Sequence, residues 1–131
     1  MKILLQFFAV IILSGCGLRP VKLEPEITKA FKQYWFVMLT KGVNRDAITD
    51  SVEISRIQAG HMAHMKKMAE DKKLVMAGPF GDDGNWRGIF IFDVKIREEV
   101  VDLLKQDPAI ASGRLDYEIH PWWSESGTVL P

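Results

Sequence analysis

The chain has 131 residues, 47% hydrophobic and 26% charged, with a formal net charge of zero. That length supports one domain with one core. Balanced charge excludes a basic face for nucleic acid and an acidic tail, and the chain has neither internal repeats nor low-complexity tracts.

The N-terminal segment reads as an address. Met1 and Lys2 give a short positive start, and Ile3 to Leu13 form an apolar run broken only by Gln6. The run is too short for a resident membrane helix but suits a secretory signal. Leu13-Ser14-Gly15-Cys16 looks like a bacterial lipobox, a signal in which the peptide is cut before the cysteine and the cysteine is lipidated. The expectation is a signal peptide over residues 1–15 and a lipid anchor on Cys16. Gly17 is not the aspartate of an inner-membrane retention signal, which points to the periplasmic side of the outer membrane in a host with two membranes. Cys16 is the only cysteine, so the domain has no internal disulfide, and lipidation leaves no thiol for chemistry. Residues 16–33, with Pro20 and Pro25 and no apolar period, read as a tether. Residues 34–126 read as the folded domain.

Six elements follow within it. Tyr34 to Thr40 is a continuous apolar run rich in aromatic and branched residues, which predicts a strand buried on both faces. Lys41 to Thr49 is a polar loop. Asp50 is placed to cap a helix running to about Lys72, with Glu53 completing a capping box. Gly60 inside that helix costs ~1 kcal/mol relative to alanine. Leu74 to Ala77 predicts the second strand, and Ile89 to Val94 the third, with an Asp83-Gly84 turn between them. Ile96 to Gln106 predicts the second helix, with Ile96, Val100, Leu103 and Leu104 on its inner side. In Arg114 to Pro121 the pattern alternates, with Leu115, Tyr117 and Ile119 facing one way. Strand, helix, strand, strand, helix, strand with right-handed crossovers is an α+β, ferredoxin-like βαββαβ fold (a split βαβ), its antiparallel sheet carrying both helices on one face. The other sheet face is apolar and uncovered, which implies a homodimer packed sheet to sheet, a dimeric α+β barrel.

The apolar stripe of the first helix comprises Ile54, Ile57, His61, Met65 and Met68. A histidine there is commonly a satisfied core residue. Asp107 continues the inner stripe of the second helix in the same way, and a carboxylate beside an imidazole would orient it as a general acid or base. Asp107-Pro108 is equally a common way to end a helix. His64 forms H-x-x-H with His61, but no third or fourth ligand stands at matching spacing, so no metal is expected. Asp82 and Asp83 beside glycines read as a turn rather than a calcium loop. His64, Trp86 and Trp122 are candidates to line a ligand pocket, and Trp122-Trp123 could instead pack across a dimer interface. There is no phosphate-cradling glycine loop, serine nucleophile context or dinucleotide fingerprint, so no cofactor is expected.

At these residues the chain resembles a known family. His61 lies eighteen positions before Pro79 of LVMAGPF, which is followed by GDDG, RGIFIFDV, DPAIASGRL and a closing EIHPWW. This order and spacing resembles the YciI-like (YCII-related) proteins over about Tyr34 to Trp123. The resemblance implies a small dimeric α+β barrel domain with a histidine–aspartate active site at His61 and Asp107. It also implies kinship in fold with muconolactone isomerases and cofactor-free monooxygenases, and with a dehydrochlorinase acting on a chlorinated ring compound. The lipoprotein signal departs from the mainly cytoplasmic members. Two readings of function stand side by side. One is a cofactor-free lyase or isomerase moving a proton on a small cyclic or aromatic substrate. The other is a non-catalytic module that binds a small ligand or an envelope partner.

Overall fold

The computed structural model describes residues 31–128 and 130–131. The expected signal peptide, Cys16 and most of the expected tether therefore lie outside the described residues. The domain is built from β1 (Phe31–Lys41), α1 (Ser51–Glu70), β2 (Leu74–Pro79), β3 (Trp86–Phe92), α2 (Arg97–Lys105), α3 (Pro108–Ala111) and β4 (Leu115–Glu125). The strands form one antiparallel sheet in the order β2-β3-β1-β4, the split βαβ arrangement the element order implies.

The two central strands are the two continuous apolar runs. In β1, Val37 and Leu39 point to the helical side, opposite Phe90 and neighbouring Phe92 on β3. Met68 of α1 and Val100 and Leu104 of α2 close over them into one core. Val37, Phe92, Val100 and Leu104 are wholly buried, each contributing on the order of 1.5–3 kcal/mol of transfer free energy. Leu115, Tyr117 and Ile119 of β4 pack on the rim of the same core, as their alternation predicts.

The opposite sheet face carries Phe36, Met38, Ile89 and Ile91, with Phe36 registered against Ile91 and Met38 against Ile89. No helix covers them among the described residues. At one edge Tyr34, Met76 and Ile91 share a shallow cavity with Trp122 and the segment around Gly127.

Besides shifts of two or three residues at the ends of α1, β2 and β3, three features differ from the sequence expectation, each for a local reason. First, β1 begins at Phe31 inside the stretch read as tether, because Phe31, Lys32 and Gln33 pair with Glu125, Ser124 and Trp123. The same pairing extends β4 beyond Pro121. Second, the Asp50 cap forms, with Val52 N–H donating to its carboxylate at 2.9 Å, but the capping box does not. Glu53 is taken instead by Arg56 in a two-pronged ion pair. Third, α2 starts at Arg97 and leaves Ile96 outside as an exposed cap residue. It ends at Lys105, and a further short helix, α3, begins at Pro108.

Candidate active site: a buried histidine–aspartate pair at a cleft

Asp107 sits in the break between α2 and α3. Pro108 fixes the first position of α3, where its missing N–H is no loss, and Asp107 caps that helix by accepting from Ala109 N–H at 2.9 Å. Its second oxygen, Oδ2, lies 2.7 Å from His61 Nδ1. The carboxyl group is fully buried, and His61 is 8% exposed. A buried carboxylate has to be hydrogen-bonded to be tolerated, and here each of its oxygens has a partner.

Gly60 explains how the two elements come so near. A Cβ at this position would stand 2.8 Å from Pro108 Cγ, closer than real Cβ contacts allow. The glycine that weakens α1 as a helix therefore lets α1 lie directly on α3, and the next residue along α1 is His61. Phe90 of β3 stacks on the imidazole with ring centroids 6.0 Å apart. The ring is thus held by Asp107 at one nitrogen and by Phe90 on a face.

His61 opens onto a cleft of about 460 Å³ between α1 and the sheet, a size that accommodates a small organic ligand. Leu39, Met62, Met65, Phe90 and Leu115 give it apolar walls, and the Gly78-Pro79 and Gly88 backbone contributes part of the lining. Its polar side chains are His61, Gln58, Arg45 and Arg87. Among the described residues, His61 Nε2 has no protein partner, and no buried side-chain nitrogen or oxygen is left without one. Nε2 therefore remains accessible to solvent in the cleft. Because the carboxylate accepts at Nδ1, the neutral ring carries its proton there, and Nε2 presents a lone pair.

Of the residues singled out from sequence, the structure brings His61 and Asp107 together. The other three lie off the wall of this cleft. His64 donates from Nε2 to the Leu103 carbonyl at 2.8 Å, so it ties α1 to α2. Trp86 is 57% exposed and packs against Phe80. Trp122 packs on Tyr34 and borders the cavity on the other sheet face. Arg45 and Arg87 also line the cleft and were not among the residues singled out from sequence. The only signal was Arg87, a charge opening an otherwise apolar strand; Arg45 looks like any solvated loop residue.

Fold and site together define a small split-βαβ domain with an imidazole–carboxylate pair facing an apolar cleft. The chain belongs to the YCII-related domain family, whose profile matches residues 35–123. It is 31% identical over 64 residues to the uncharacterized protein YjpA of Bacillus subtilis (strain 168), an alignment covering 49% of this chain and 73% of that one. Among solved structures it is similar to 5-chloro-2-hydroxyhydroquinone dehydrochlorinase (TftG) of Burkholderia phenoliruptrix AC1100, in complex with 2,5-dihydroxybenzoquinone. That similarity has a TM-score of 0.47 and 18% identity, over 67% of this chain and 92% of that chain.

Proposed function

We propose that the cleft is a cofactor-free proton-transfer site, acting as a lyase or isomerase on a small cyclic or aromatic substrate. The observation that supports this reading is the 2.7 Å contact between His61 Nδ1 and Asp107, with Nε2 left open to the cleft. In this mechanism Nε2 takes a proton from an acidic C–H or O–H of the bound molecule. Asp107 accepts from Nδ1–H and stabilises the imidazolium that forms. The proton then returns to another atom of the substrate or to a leaving group. The apolar walls favour a flat, largely apolar ligand and strengthen the polar contacts inside.

The test begins with a thermal-shift screen of small cyclic and aromatic compounds. Hits are then incubated in deuterium oxide and followed by NMR. The protein is expected to catalyse exchange of a ligand proton, and His61→Ala to slow it by roughly a hundredfold or more. A ligand that binds but does not exchange, or exchanges equally with His61→Ala, marks the cleft as a binding site alone.

The homodimer is also our proposal, supported by the apolar sheet face of Phe36, Met38, Ile89 and Ile91. So is the anchor: Cys16 carries lipid and holds the domain at the cell envelope. Support for it comes from Leu13-Ser14-Gly15-Cys16 directly after the apolar run, since several acyl chains on one cysteine suffice for stable anchoring. Cys16→Ser is expected to remain uncut and to incorporate no labelled palmitate in a bacterial host. Processing and labelling like the wild type would sink the lipobox reading.

A further inference from the structure

Among the described residues, two of the four polar side chains on the cleft wall are arginines, and no aspartate or glutamate lines it. Arg45 stands on a loop that is pinned in place. Gly42 N–H donates to the Arg114 carbonyl, and Asn44 N–H donates to the Gly113 carbonyl at 2.9 Å. The Asn44 amide reaches the Ser112 carbonyl at 3.0 Å. This approach requires glycine on both sides. A Cβ at Gly42 would overlap the Gly113 carbonyl, and Gly113 itself has φ +72°, a left-handed backbone that side chains rarely adopt. Arg87 is fixed differently. Its Nη1 donates to the Asp82 and Gly84 carbonyls and to the Asp83 carboxylate, and its side chain is only 20% exposed.

The donors left over decide the matter. A guanidinium has five N–H groups. Among the described residues, the Arg45 guanidinium meets no acceptor at all. Arg87 uses one nitrogen, leaving Nε and Nη2 without a partner among the same residues. Arg114, whose Nη1 reaches the Arg45 carbonyl, adds a third positive charge nearby. Burial, then Arg114, then Arg87 push the Arg45 pKa below its ordinary value, and Asp83 and Asp46 only partly offset this. A solvated arginine on a loop needs no explanation. Two on the wall of one largely apolar cleft, with Asp83 on one nitrogen of Arg87 as the only carboxylate bonded to either among the described residues, form a site that an anion would complete.

We infer that Arg45 and Arg87 form an anion subsite in the cleft beside His61, and that the ligand is a small organic molecule bearing a carboxylate. The planar fork of guanidinium matches a carboxylate in two parallel hydrogen bonds, and the apolar walls match the rest of a cyclic or aromatic acid. The inference rests on the proposed function only in taking this cleft as the ligand site.

Benzoate and its neutral isostere benzamide are the probes, titrated into the purified full-length protein by calorimetry at low and high salt. Benzoate is expected to bind roughly tenfold or more tightly than benzamide, with the preference shrinking as salt rises. Arg45→Gln removes a guanidinium that has no hydrogen-bond or ion-pair partner among the described residues. It is expected to abolish the preference without shifting the melting temperature, and Arg87→Gln to reduce it. The inference is overturned if benzoate fails to bind, if the two probes bind alike, or if Arg45→Gln binds benzoate like the wild type. The readout is equilibrium binding rather than proton exchange. A failure here therefore leaves proton transfer by His61 standing, and loss of that reading leaves the subsite standing.

Discussion

Asp107→Ala is expected to destabilise the domain by roughly 2–4 kcal/mol, whereas Asp107→Asn should cost far less and act on the chemistry instead. Alanine removes two interactions at once. The Ala109 N–H loses its cap, worth about 1 kcal/mol, and His61 Nδ1–H loses a charge-assisted partner, worth about 1.5–3 kcal/mol. Urea unfolding measures the sum. Asparagine caps a helix as well as aspartate does, so its oxygen can stay on Ala109 N–H, turning its NH₂ toward His61. A donor facing Nδ1 favours the opposite tautomer, with the proton on Nε2. The nitrogen open to the cleft would then be a donor and unable to act as a base. Proton exchange is expected to fall roughly a thousandfold or more, as in other triads and dyads whose carboxylate is made an amide. ¹⁵N NMR of the neutral ring reads the tautomer directly. Finding the same protonated nitrogen in wild type and Asp107→Asn would mean that the carboxylate does not control the imidazole.

The second large effect concerns assembly. Light scattering of the protein without residues 1–16 is expected to give about twice the mass of one chain at micromolar concentration. Four apolar residues of two central strands present one face, and Met38 lies at its middle, paired with Ile89 on one side and Glu118 on the other. Met38→Glu would set a second carboxylate directly opposite Glu118 and put charge into the proposed interface, so it should give a monomer. A monomeric wild type would leave the apolar face unexplained and refute the dimer. A dimeric Met38→Glu protein would place the interface elsewhere.

Much of the fold was legible because periodicity reports burial. The runs around Val37 and Phe90 lie in the central strands, and the stripe Ile57, His61, Met68 is the buried side of α1. The site was legible for a different reason from the one that makes it. Asp107 drew notice as a continuation of the α2 stripe and, alternatively, as a helix stop before proline. It is not on α2 at all. It reaches His61 because the helix stops: the break frees its side chain to cap α3 and turn to the imidazole. The two readings set against each other were one feature. Other contacts were not legible because their partners are distant in sequence. Nothing near Gln33 announces its pairing with Trp123, and nothing near Arg45 announces the cleft. His64 matched a ligand spacing yet serves as a tie between helices, since one turn of helix suits both uses.

The bare Cα at Gly60 makes the spacing of two helices and the geometry of an imidazole–carboxylate pair a single quantity. The 2.8 Å that a methyl group would leave to Pro108 is a gauge with almost no slack, read out one residue later as the His61–Asp107 distance. Bulk added at 60 must be matched by bulk removed at 108, or the imidazole is lifted from its carboxylate while the core, centred on Val37 and Leu104, stays whole. Such a variant would give up the charge-assisted hydrogen bond of a buried carboxylate, about 1.5–3 kcal/mol, together with the proposed proton-transfer pair. Anyone diversifying this scaffold should therefore treat positions 60 and 108 as one unit.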